Sequence, residues 1–151
     1  MLKKVLFVCT GNTCRSSMAE AIAKKIAEEK NIKDIEFSSA GVSAFTGDKA
    51  SVQAVEAAAL FGADLTKHAA RRIDKEMVKE ADIIFTMTCS HKAILLSLLP
   101  EMEHKIFTLK GYVDGRDSDI DDPFGYPVNV YLDCAESLRK YITKAITKLA
   151  K

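Results

Sequence analysis

The chain has 151 residues, 48% of them hydrophobic, which suits one compact domain that buries its own core. Its 22 Lys and Arg against 21 Asp and Glu leave a net charge of +1, so nothing in the charge balance draws it to nucleic acid or a membrane, and any anion site must be local. The first apolar run, Val5 to Cys9, is shorter than a secretory core of about 7 to 15 residues, and no stretch approaches the ~20 residues of a membrane span. Four cysteines make a thin disulfide framework for a chain of this size, so a cytoplasmic protein with reduced thiols is expected.

Val5 to Val8 is a run of β-formers that gives way to the turn chemistry of Cys9-Thr10-Gly11-Asn12, and predicts a buried strand followed by a loop. From Ser16 or Ser17 the pattern turns helical, with Met18, Ala19, Ile22, Ala23 and Ile26 on one face and Lys24, Lys25, Glu28 and Glu29 on the other. Either serine can cap that helix, and Glu20 stands three residues after Ser17 as in a capping box. Ile35 to Ala40 alternates as a second strand and stops at Gly41, before loop-like residues from Val42 to Asp48. Lys49 to Leu60 is alanine-rich and helical, ended by Phe61-Gly62. Asp74 is placed to cap a short helix reaching Ala81, Asp82 to Met87 follows as a third strand, and Ser90 to Leu99 is a helix stopped by Pro100. Lys105 to Thr108 is a fourth strand, Asp114 to Tyr126 a long polar loop, and Val128 to Lys151 a final amphipathic helix. Strands alternating with helices indicate right-handed βαβ units and a parallel sheet with helices on both faces, in a single domain over residues 1–151.

The informative stretch is Cys9-Thr10-Gly11-Asn12-Thr13-Cys14-Arg15-Ser16, between the first strand and the first helix. Open α/β sheets bind ligands at that edge. Amides of a tight loop entering a helix N-terminus converge on one point, and the helix dipole adds positive potential, which together cradle a dianion. A cysteine at the base of the cradle, with the Arg15 charge beside it, is expected as a thiolate, the nucleophilic form. Arg15 offers a planar fork for two equatorial phosphate oxygens. Gly11 is expected to take dihedrals that a side chain would block, Asn12 to adopt a left-handed conformation and tie the loop to itself, and Ser16 to donate to Cys9.

Expelling a leaving group from phosphorus also calls for a proton donor. Asp114, Asp117, Asp119, Asp121 and Asp122 all lie in the late loop, and chemistry alone does not choose among them.

The run Cys9 to Ser16 resembles the signature loop of the low-molecular-weight protein tyrosine phosphatases. The likeness extends to Met18-Ala19-Glu20, Ser39-Ala40-Gly41 and Asp122-Pro123. It implies a three-layer α/β/α fold with a four-stranded parallel sheet of order 2-1-3-4, and it selects Asp122 as the general acid. Cys9 would attack phosphorus, Asp122 would protonate the leaving group, and water would break the phosphocysteine, with no metal or other cofactor needed. Thr10, Gly11, Asn12, Thr13, Cys14 and Ser16 would complete the phosphate site, the partner being a phosphorylated protein or peptide and the product inorganic phosphate.

Tyrosine-directed members usually carry an aliphatic residue where this chain has Thr13, and paired tyrosines after Asp-Pro where it has Phe124-Gly125-Tyr126. Both departures resemble the bacterial protein-arginine phosphatase branch. A hydroxyl beside the pocket can orient water or a guanidinium group, whereas Phe124 stacks equally well on a phenol or a guanidinium plane. An arsenate reductase would need two further cysteines close together, and Cys89 and Cys134 are far apart. A noncatalytic phosphate-binding module would have lost Cys9 or Asp122. A zinc site on Cys9, Cys14 and His91 or His104 lacks a paired ligand motif, and the three histidines are expected at the surface. Cys14 is either a packing residue or the partner of Cys9 in a reversible protective disulfide.

Overall fold

The structure, a computed structural model, describes residues 2–150. Along the chain run β1 (Lys3–Cys9), α1 (Arg15–Glu29), β2 (Ile35–Gly41), α2 (Val52–Leu60), α3 (Lys75–Glu80), β3 (Ile83–Thr86) and α4 (Cys89–Leu98). A 3₁₀ segment (Pro100–Lys105), β4 (Ile106–Thr108), α5 (Leu109–Asp114) and α6 (Val128–Leu149) complete it. The strands form one parallel sheet in the order β2-β1-β3-β4, as expected.

The alternation of β1 sends its side chains into two cores. Val5, Phe7 and Cys9 face a large cluster built with Met18, Ile22, Tyr131, Leu138 and Ile142 from α1 and α6. Leu6 and Val8 face a smaller one with Val78, Leu95 and Leu99. Each such fully buried large side chain stabilises the fold by about 1.5–3 kcal/mol. Phe7 also stacks on Phe37 and packs tilted against Phe85, at centroid distances of 6.1 and 5.9 Å, which ties β1 to both neighbouring strands. Among the described residues no helix is long and apolar enough to cross a membrane.

Several boundaries differ from expectation. The first helix starts at Arg15 and has no side-chain cap. Ser16 turns to Cys9, Ser17 donates to the Cys14 carbonyl and Glu20 accepts from Ser39, so the serines and Glu20 serve the loop and β2 in place of a capping box. The second helix begins at Val52, capped by Ser51, whose backbone N–H is held by the Thr13 carbonyl at 3.0 Å. The six residues of α5 were unexpected, because a single turn and a half shows no periodicity; Thr108 caps it and Gly115, at φ 81°, ends it. Lys151, the expected end of the final helix, lies outside the described residues.

Because the chain passes from β1 to β2 on one side and later returns to set β3 on the other side of β1, the loop after Cys9 occupies the crevice where the winding changes direction. Gly41, paired with Cys9 at the end of β2, sets how closely the two segments approach. A Cβ there would overlap the Thr10 carbonyl oxygen and stand 2.9 Å from the Asn12 nitrogen. Gly41→Ala should therefore displace the loop, lowering stability in urea unfolding by about 1–3 kcal/mol and weakening inorganic phosphate binding. Unchanged phosphate binding would show that the loop does not depend on this contact.

Candidate active site

The loop is held from beneath by one carboxamide. Asn12 is fully buried with φ 58°, the left-handed conformation expected of it. At Gly11, by contrast, φ is not left-handed and an added Cβ would meet only Thr13 Oγ1, at 3.5 Å, so the dihedral reason expected for glycine there is not the one that applies. Asn12 Oδ1 accepts from the Arg71 N–H at 2.9 Å, which fixes the amide orientation. Its NH₂ group then donates to Ser16 Oγ at 2.8 Å and Ser39 Oγ at 2.9 Å, and Ser39 in turn donates to Glu20 Oε1 at 2.5 Å. With Asn12 donating to its oxygen, the Ser16 hydroxyl keeps its own proton for an acceptor. The nearer one is Cys9 Sγ at 2.8 Å, the farther the Ala40 carbonyl at 3.5 Å.

Arg15, the first residue of α1, is buried and joins this loop to the late one. Its Nη1 donates to the Ile120 carbonyl at 2.9 Å, and Nη2 lies 3.5 Å from Asp122 Oδ2. The late loop separates the aspartates that chemistry left equivalent. Asp114 accepts from the Tyr141 hydroxyl, Asp117 from Thr108 and Lys92, and Asp119 from the Cys89 N–H at the start of α4. The Lys92 and Thr108 bonds hold the Asp117 carboxyl below its ordinary range. Asp121 is exposed and its carbonyl faces Cys134 Sγ at 3.8 Å. Asp122, half exposed, forms the rim of the cavity, with Oδ1 accepting from the Phe124 N–H at 3.1 Å.

That cavity, about 210 Å³, is lined by Cys9, Thr10, Gly11, Thr13, Cys14, Arg15, Asp122 and Phe124. Asn12 and Ser16 lie below it and act on the loop. Phe124 is 70% exposed at the mouth. A larger groove of about 900 Å³ follows β2, but none of the eight cavity residues lines it.

The histidines correct an expectation. Only His104 is exposed; His68 is half-buried and His91 is 4% exposed. His68 Nε2 donates to the Asn12 carbonyl at 2.6 Å, and His91 Nε2 lies 2.8 Å from Thr10 Oγ1. Burial, and then the Arg15 charge, push His91 from its ordinary 6.5 down to about 4, against the opposing pull of Asp119 and Asp122. The four cysteines are free. Cys14 Sγ lies 3.3 Å from the Tyr131 hydroxyl, which burial and this bond push up to about 12; burial pushes Cys134 up to about 12 as well. Among the described residues no three His, Cys, Asp or Glu side chains gather as a metal site.

Cys9, Arg15 and Asp122 share the lining of one cavity at the carboxyl edge of the parallel sheet, on an α/β/α scaffold. The sequence profile of the low molecular weight phosphotyrosine protein phosphatases matches residues 4–151, and the chain belongs to that family of protein phosphatases. A protein-arginine-phosphatase of Bacillus subtilis strain 168 is 39% identical over 148 residues, covering 97% of each chain. A low molecular weight protein tyrosine phosphatase from T. tengcongensis has a similar structure, with a TM-score of 0.91 at 46% identity, covering 97% of this chain and 99% of its own. A mutant of the YwlE arginine phosphatase with a phosphorylated active-site serine gives a TM-score of 0.93 at 38% identity, covering 98% and 96%.

The buried His91 has a consequence for stability. The unfolded chain takes up a proton at His91 near 6.5, while the folded chain resists until about 4. The stability that His91 contributes is therefore complete above pH 6.5 and declines as pH falls from 6.5 to 4. Urea midpoints of wild type and His91→Gln, compared across that range, should converge toward acid; a constant gap would refute the burial of a neutral imidazole.

Proposed function

We propose that Cys9, Arg15 and Asp122 carry out two-step hydrolysis of a phosphorylated protein side chain, with phosphoarginine preferred over phosphotyrosine. The observation that carries this reading is the cavity itself, which holds Cys9, Arg15 and Asp122 in one lining, with the Ser16 hydroxyl oxygen 2.8 Å from the sulfur.

In the first step the Cys9 sulfur attacks phosphorus while the bond to the leaving nitrogen or oxygen breaks. Arg15 already spends one arm on the Ile120 carbonyl, so its guanidinium is held in place before substrate arrives, and its remaining donors meet the equatorial oxygens as charge spreads over them. Asp122 gives its proton to the departing group. In the second step water attacks the phosphocysteine, Asp122 takes the water proton, the phosphorus–sulfur bond breaks and the Ser16 hydroxyl receives the returning sulfur anion. Inorganic phosphate leaves. The phosphorylated active-site serine in the YwlE mutant supports a covalent intermediate on the equivalent nucleophile.

The preference for phosphoarginine rests on Thr13, whose side chain lines the cavity, and on the arginine phosphatase of Bacillus subtilis. A hydroxyl there can accept from a guanidinium N–H, which an aliphatic side chain cannot do. The second reading, phosphotyrosine, draws on the T. tengcongensis relative. Free thiols at all four cysteines fit a reducing compartment, the cytoplasm.

Cys9→Ser should abolish turnover, and Asp122→Asn should lower kcat by about 10²–10⁴ with the phosphate site intact. Thr13→Ile should shift the ratio of kcat/KM on phosphoarginine and phosphotyrosine peptides toward tyrosine by about tenfold, the worth of one hydrogen bond of about 1.4 kcal/mol. An unchanged ratio would remove Thr13 from the selectivity argument.

A further inference from the structure

His91 stands on the first turn of α4, where Thr88 caps the helix by accepting from the His91 N–H at 3.1 Å. The ring is carried to the end of β1, under the late loop. Its Nε2 meets Thr10 Oγ1 at 2.8 Å, while Nδ1 is buried and has no hydrogen-bond partner among the described residues. The charged groups facing the ring are Arg15 from α1 and Asp119 and Asp122 from the late loop. No step of the hydrolysis described above uses this imidazole.

The orphan nitrogen decides the tautomer. A neutral imidazole carries one proton, and placing it on Nδ1 would bury an N–H with no acceptor, in the field of the Arg15 cation. Placing it on Nε2 leaves Nδ1 as a bare lone pair, which that cation tolerates. Nε2 is then the donor to Thr10. The Thr10 oxygen accepts from the ring, so its own hydroxyl proton must point elsewhere, and Thr10 is exposed and lines the cavity.

We propose that His91 is a positioning residue of the phosphate pocket: its Nε2–H holds the Thr10 oxygen so that the Thr10 hydroxyl donates into the cavity, onto a non-bridging oxygen of the bound phosphoryl group. The other tautomer would turn the Thr10 lone pairs toward a dianion and repel it. The inference rests on the reading of this cavity as the phosphoryl site. It gives Thr10 a task distinct from that of Thr13: Thr10 grips oxygens common to every phosphorylated side chain, and Thr13 senses the leaving group.

The experiment is a double-mutant cycle on Thr10→Val and His91→Ala, read as the inhibition constant of inorganic phosphate and as kcat/KM on both peptides, with Thr10→Ser as the conservative control. Each single change should weaken phosphate binding by roughly tenfold, the double variant should be no weaker than Thr10→Val, and Thr10→Ser should retain binding. The ratio of rates on phosphoarginine and phosphotyrosine peptides should not move in His91→Ala. ¹⁵N spectra of the wild-type imidazoles should show His91 protonated at Nε2, a measurement that stands even if His91→Ala does not fold. Additive effects, a changed ratio, or a proton on Nδ1 would overturn the proposal. A wild-type protein that binds inorganic phosphate but hydrolyses neither peptide would sink the functional reading alone, because calorimetric phosphate binding in the same cycle and the ¹⁵N spectrum would still decide the role of His91.

Discussion

The Asn12 carboxamide sits at the centre of the phosphate loop, and its partners come from three separate segments: Ser16 in α1, Ser39 in β2 and the Arg71 backbone after α2. The left-handed backbone that curls the loop is unfavourable for most side chains, and is held only because these bonds over-determine it. An amide buried this deeply costs a few kcal/mol unless its donors and acceptor are met. Here both donors and the oxygen are engaged, so the strain of the loop and the satisfaction of the amide stand or fall together. His68 adds a fourth tie through the Asn12 carbonyl.

The same sharing of partners links the loop to Asp122. Arg15 is anchored through Ile120, which is itself buried and donates to the carbonyl of Met87 just after β3, while Asp119 reaches back to the start of α4. The late loop is therefore positioned by the Arg15 guanidinium, by the residue that follows β3 and by the helix that carries His91. Shifting any one of these would move Asp122 relative to Cys9, and on the proposed mechanism a misplacement of about 1 Å would be enough to cost about 10²-fold in rate.

Legibility from sequence followed contiguity. Cys9 to Ser16 could be read because the cysteine, the left-handed residue, the arginine and the helix start lie within eight residues and share one strand-to-helix setting. The Asp74 cap and the Phe61-Gly62 stop were readable for the same reason. The serine caps of α1 were misread because hydroxyls placed for capping found stronger partners brought in by the fold. Glu20 and Ser39 fell within the stretches that matched the family, yet their bond to one another spans 19 residues and has no local signature.

By itself the sequence determined the α/β class and the strand–loop–helix setting of Cys9 to Ser16, because each depends on neighbours along the chain whose spacing and backbone preferences act locally. Among the five aspartates that residue chemistry left equivalent and only the family resemblance told apart, tertiary structure supplies the physical separation: Asp114, Asp117 and Asp119 are drawn off by Tyr141, Lys92, Thr108 and the start of α4, Asp121 does not line the cavity, and Asp122 stands at its rim. It also decided that two histidines serve the loop. His68 meets its partner across 56 residues and His91 across 81, and contacts of that separation are fixed by the parallel sheet, which sets the ends of β1 and β3 side by side.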